Sequence, residues 1–167
     1  MPEFRFDRID DAILTALQNN ARLSNKELAV KVGLAPSSCL ERVRRLQQRG
    51  VLTGYRAVVD AKSLGVGLQA FVAVRLSQHS RDVVESFRAH LLDLKEVVSV
   101  YHTGGENDFL VHVAVRDADH LRDLALDAFT TRTEVARLNT ALVYEQVQPG
   151  VLPNYRLEEE EGSSLIR

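Results

Sequence analysis

The chain has 167 residues, with 21 Lys and Arg against 23 Asp and Glu, a formal charge of −2, and it is 45% apolar and 26% charged. This is the composition of a globular protein, and it excludes disordered, collagen-like and cysteine-stapled classes. No apolar run nears the roughly 20 residues that cross a bilayer, and the opening MPEFRFDRIDD alternates charge where a secretory leader would be apolar. The single cysteine, Cys39, can form neither an intrachain disulfide nor a multi-thiolate metal site. The expectation is a cytoplasmic protein with no membrane partner.

Divided by position, the charge is far from neutral. Residues 1–60 hold 10 basic and 7 acidic residues, a net of +3, and the remainder carries −5. From Lys31 to Arg56 there are six bases (Lys31, Arg42, Arg44, Arg45, Arg49, Arg56) and one acid, Glu41. Such a run is either a solvated face or an anion-binding one, and spacing has to decide between them.

Ile9, Ile13, Leu14 and Leu17 recur at helical spacing and predict a helix over 7–19, with acids in its first turn where the macrodipole favours them. Ser24-Asn25-Lys26-Glu27 has the form of a capping box opening a short helix over 25–32, which Gly33 ends. Pro36, tolerated in a first helical turn, opens a third helix that runs to Gly50. Two helices joined by a tight glycine turn make a helix-turn-helix. On the third helix Cys39, Val43 and Leu46 fall on one side, with Leu40 at the edge. The other side carries Ser37, Ser38, Glu41, Arg42, Arg44, Arg45, Gln48 and Arg49. Hydroxyls near the N-terminus suit base edges, and guanidinium forks suit guanine or phosphate. We therefore assign Ser37, Ser38, Glu41, Arg42 and Arg45 to bases and Arg44, Arg49 and Arg56 to phosphates.

Beyond Gly50 the period changes. Residues 51–52 and 55–59 read as extended, and Ser63 to Gly67 as a linker. LQAFVAVRL predicts a strand over 68–76, followed by a helix over 81–92, strands over 97–102 and 109–115, a helix over 119–129 and a long strand over 135–147. Strand-helix-strand-strand-helix-strand is the ferredoxin-like plan, with both helices on one face of an antiparallel sheet. Its uncovered face predicts self-association. The whole is α+β: a winged-helix-like helix-turn-helix domain over 1–53, a connector over 54–67, a βαββαβ sandwich over 68–148 and an acidic flexible tail over 149–167. For the tail, with Glu158 to Glu161, two roles are open: a solvating end, or an acidic strand that competes with DNA for the basic face.

One loop is chemically dense. Thr103-Gly104-Gly105-Glu106-Asn107-Asp108 offers exposed amides and two carboxylates, a mixture suited to a zwitterion, and equally the composition of a plain hairpin turn. The five histidines (His79, His90, His102, His112, His120) form no metal-ligand spacing, and no nucleophile elbow or phosphate loop occurs. We expect no catalytic residue, no metal and no cofactor.

The run LAVKVGLAPSSCLERVRRLQQRGVLTGY, from Leu28 to Tyr55, closely resembles the DNA-binding segment of the Lrp/AsnC (leucine-responsive, feast/famine) regulators. DRIDDAILTALQNNARLSNKELA resembles the same family's first two helices, and TGGENDFLVHVAV its effector-binding RAM domain. The resemblance implies a repressor or activator that binds pseudo-palindromic double-stranded DNA as a homodimer, tetramer or octamer, with an amino-acid effector between RAM domains. It places the family's Gly-x-x-Asp-aromatic signature on Gly105, Asp108 and Phe109 and its last-strand threonine on Thr140; the expected effector contacts are Gly105, Asp108 and Thr140 with the loop residues Gly104, Glu106 and Asn107. Asn107 stands where the family often has an aromatic, Leu138-Asn139-Thr140 matches its Thr-x-Thr pattern loosely, and Ala35 replaces a serine cap. Two other readings keep the family's outline: effector-independent DNA bending by an oligomer, and a sirohaem-decarboxylase-like enzyme, which would have little use for four arginines on the third helix.

Overall fold

Asp7 caps the first helix, its carboxylate accepting the amides of Ile9 and Asp10 at 2.9 and 2.8 Å. The computed structural model describes residues 7–147 and 150–155. These fall into two compact units, one holding the residues up to Val58 together with 150–155, the other Val59–Val147.

In the first unit α1 (Arg8–Asn19), α2 (Asn25–Lys31) and α3 (Pro36–Gln48) enclose a small core of Ile13, Ala16, Leu17, Leu28, Ala29, Cys39 and Leu46. Both parts of the capping box form, Ser24 and Glu27 each satisfying an amide of the other's segment. Gly33 adopts φ +70°, and the next amide, Leu34 N–H, donates back to the Ala29 carbonyl at 2.9 Å. That left-handed cap turns the chain sharply, and fully buried Ala29 supplies no bulk to hold α3 away. Asn25 Nδ2 donates to the Pro36 carbonyl at 2.7 Å and ties the start of α2 to the start of α3. Ala35 caps α3 without a side-chain hydrogen bond. Residues 53–59, expected to be extended, join no strand or helix. Of the tail, Leu152 N–H donates to Gln18 Oε1 at 3.0 Å and Asn154 Nδ2 to Asp11 Oδ1 at 2.8 Å, both on α1; Glu158 to Glu161 lie outside the described residues.

The second unit contains β1 (Leu68–Leu76), α4 (Arg81–Asp93), β2 (Val97–His102), β3 (Phe109–Val115), α5 (Ala118–Leu124) and β4 (Val135–Leu142). The strands form one antiparallel sheet in the order β2-β3-β1-β4. Alternation in β1 buries Ala70, Val72, Val74 and Leu76 beneath the helices, where Phe87 meets Phe109 at 5.3 Å between ring centroids. The opposite face carries Phe71, Ala73, Leu110 and Tyr101, the last 52% exposed.

Two boundaries differ from the sequence pattern. The last strand ends at Leu142, because its partner β1 begins at Leu68 and the final bond is Val143 N–H to the Gln69 carbonyl. The second helix passes into a π-helical turn over Ala125–Thr130. There Thr130 and Thr131 direct their hydroxyls at the carbonyls four residues back, the local competition that disturbs regular helix.

Candidate nucleic-acid interface and effector loop

The outer face of α3 presents Ser37, Ser38, Glu41, Arg44, Arg45, Gln48 and Arg49 to solvent, with Arg42 half-buried. Ser38, Glu41, Arg42, Arg44, Arg45 and Gln48 line a shallow depression of about 520 Å³. Arg56 lies beyond the helix, exposed, in the segment that joins no strand. Cys39 is fully buried on the opposite side, where it packs in the core and burial pushes its thiol pKa up.

Arg42 and Arg45 are engaged within the unit. Arg42 Nη1 lies 2.6 Å from Asp7 Oδ2 and 2.9 Å from Asp10 Oδ1, and Arg45 Nη2 spans both Asp10 oxygens at 3.0 and 2.9 Å. Asp10 is fully buried. Burial raises the Asp7 carboxyl, but hydrogen bonds from Arg42 and from the Asp10 amide outweigh it, and the net shift is downward. Hydrogen bonding to Asp7 raises Arg42 in turn.

By sequence position alone these two acids are dipole partners of α1. The signal for a further role was present: Asp10 falls at helical spacing with Ile13 and Leu17, on the stripe that is buried.

The loop between β2 and β3 is a closed turn. Thr103 N–H donates to the Asp108 carbonyl at 2.9 Å, Thr103 Oγ1 donates to the Asn107 carbonyl at 2.8 Å, and Gly105 adopts φ +114°, a region that favours glycine. Asp108 fastens it to the sheet, accepting Leu76 N–H at 2.7 Å through Oδ2 and facing His79 Nδ1 at 3.0 Å through Oδ1. Glu106 sits between two arginines directly opposed across β1 and β4: Arg75 Nη1 donates to its carbonyl at 2.7 Å, and Arg137 Nη1 to its carboxylate at 3.0 Å. Asn107 Oδ1 is buried and has no hydrogen-bond partner among the described residues. Thr140 is exposed, opposite Val72 and on the other face of the sheet from Arg137, so one chain does not bring it to the loop's charged groups.

Among the described residues no helix is long and apolar enough to cross a membrane, and no group of three or more His, Cys, Asp or Glu is placed to hold a metal ion.

Comparison with known proteins returns families for both units. The AsnC-type helix-turn-helix domain matches residues 6–47, and the Lrp/AsnC ligand binding domain matches residues 69–152. The chain is 41% identical over 142 residues to the HTH-type transcriptional regulator AldR of Mycolicibacterium smegmatis, covering 85% of this chain and 83% of that one. It is 37% identical over 142 residues to the leucine-responsive regulatory protein of Escherichia coli, covering 85% and 87%. A transcriptional regulator of Neisseria meningitidis, solved as an L-Met complex, superimposes with a TM-score of 0.82 at 32% identity, over 89% of this chain and 97% of that one.

Proposed function

The chain belongs to the Lrp/AsnC family of transcriptional regulators, with a DNA-binding helix-turn-helix and a ligand-binding domain, and we propose that it reads a pseudo-palindromic operator through α3 under the control of an amino acid. The polar outer face of α3, presented behind a tightly capped turn, carries the first half of this reading. Ser37, Ser38 and Glu41 meet base edges at the N-terminal end of the helix, and Arg44, Arg49 and Arg56 meet phosphates. Selection from a random-sequence duplex pool tests it. The parent enriches a two-fold related site, and Arg44→Ala weakens enriched and scrambled duplexes alike while reducing the salt slope by roughly 1. Equal salt slopes for parent and variant refute the phosphate contact.

The second half rests on the loop. An amino acid's carboxylate has the amides of Gly104 and Gly105 and the paired guanidinium groups of Arg75 and Arg137 beside it. Its ammonium has Asp108 and Asn107 Oδ1, a buried acceptor that lacks a donor among the described residues. The solved L-Met complex of the Neisseria relative supports the ligand class. The open sheet face of Phe71, Ala73, Tyr101 and Leu110 is where two copies associate, so that each assembly carries two α3 helices. Thermal-shift screening of the amino acids tests the effector, and light scattering of a Tyr101→Glu variant tests the interface. A panel without any shift refutes the first, and an unchanged particle mass refutes the second.

A further inference from the structure

Asp10 has no counterpart in the wheel argument for DNA binding, because it faces inward from a different helix. It is nonetheless the fully buried carboxylate on which two of the four α3 guanidinium groups converge, with Asp7 as an outer partner of Arg42. A buried carboxylate needs such partners, since one left alone would be strongly disfavoured. The consequence runs in the other direction as well. Each of the two gives one terminal nitrogen to the acids, Arg42 Nη1 and Arg45 Nη2, and that contact tethers the guanidinium group on the α1 side of the helix. Arg42 is 25% exposed and Arg45 44%, so the first is mostly withdrawn and the second stands at the rim of the α3 depression.

From this geometry we propose that Asp10 is a positioning residue for operator recognition: it aims Arg45 at a base edge and withholds Arg42 from the phosphates. The inference rests on α3 being the helix that enters the groove. Asp10 and Asp7 together offset the charge of Arg42 and Arg45, so these two add little to the outward positive field of the helix. Sequence-independent attraction is thereby held down while one fork stays aligned. Specificity is the ratio of the two, so an acid that never touches DNA raises it.

The test uses the full chain, the duplex it enriches from a random pool, and a scrambled duplex of equal length, with binding measured across salt concentration. Asp10→Asn, confirmed folded by circular dichroism, is expected to bind the scrambled duplex more tightly than the parent. Its salt slope should steepen by roughly 0.9 for each phosphate gained by a released guanidinium, and its preference for the enriched duplex should fall at least about tenfold, the scale of one good base contact. A purely structural role predicts something else: weaker binding to both duplexes with the slope unchanged. That result, or an undiminished preference, overturns the proposal. Should Asp10→Asn fail to fold, Arg45→Lys decides, since it keeps a cation on Asp10 and removes the planar fork. Loss of about tenfold in preference supports the aimed fork, and full preference refutes it. A parent that enriches no sequence overturns the proposal too, together with the operator reading beneath it; failure of the Asp10 variant to change preference leaves that reading standing.

Discussion

Replacing Asp108 separates holding the loop from binding the effector. In the folded chain its Oδ2 accepts Leu76 N–H at 2.7 Å, and Leu76 is 2% exposed. Asp108→Ala leaves that amide without an acceptor. An orphaned buried donor costs about 1 to 3 kcal/mol, whereas the pair with His79, 57% exposed, adds little. For a domain the size of 59–147, each kcal/mol lowers the melting temperature by about 4 to 8 °C. The Ala variant should therefore melt roughly 5 to 20 °C below the parent when unfolding is followed by circular dichroism. Asp108→Asn keeps a carbonyl oxygen for Leu76 and removes only the charge. It should melt close to the parent, yet show none of the stabilisation by an amino acid that the proposed function expects of the parent, because an ammonium joining or displacing His79 needs the carboxylate. An Ala variant melting with the parent would refute the account of the Leu76 hydrogen bond. An Asn variant still stabilised by the amino acid would refute the ammonium site.

Other substitutions probe the frame around these sites. A Cβ added at Gly67 would stand 2.2 Å from the Arg116 carbonyl oxygen, which is backbone and cannot swing aside, so Gly67→Ala should cost about 1 to 3 kcal/mol or more in chemical denaturation. Ser24→Ala removes the capping box of α2 and should cost about 1 kcal/mol, with operator affinity falling in step as the turn before α3 loosens. Burial holds the His112 imidazole below its ordinary pKa, as it lies against Phe71 and on Gln69 Oε1 at 2.8 Å. The unfolded chain therefore binds more protons there, and stability is lost as pH falls through the unfolded value of about 6.5. In urea titrations His112→Gln should flatten that part of the profile, and an unchanged profile would count against the assignment.

The elements that sequence spacing located are those fixed by local chemistry and period. A capping box, a left-handed glycine and an N-terminal proline act over four residues, and the alternation of β1 buries one face whatever its partner. The wheel of α3 divided inward Cys39 and Leu46 from outward Ser38 and Arg44 for the same reason, since one helix determines it alone. What periodicity does not carry is pairing between elements. Arg42 and Asp10 stand 32 residues apart, as do Leu76 and Asp108, and Arg75 and Glu106 stand 31 apart. A wheel drawn on α3 therefore shows four equivalent arginines, although the fold makes them unequal. Net charge has the same blindness: Asp7 and Asp10 enter the count as acids that diminish a basic domain, yet they act upon individual guanidinium groups. The single trace of this in sequence is an acid placed on an apolar stripe, a position that is costly unless a cation from another element meets it. Where a basic helix follows such a helix, the acid points to the arginines that the fold has already engaged.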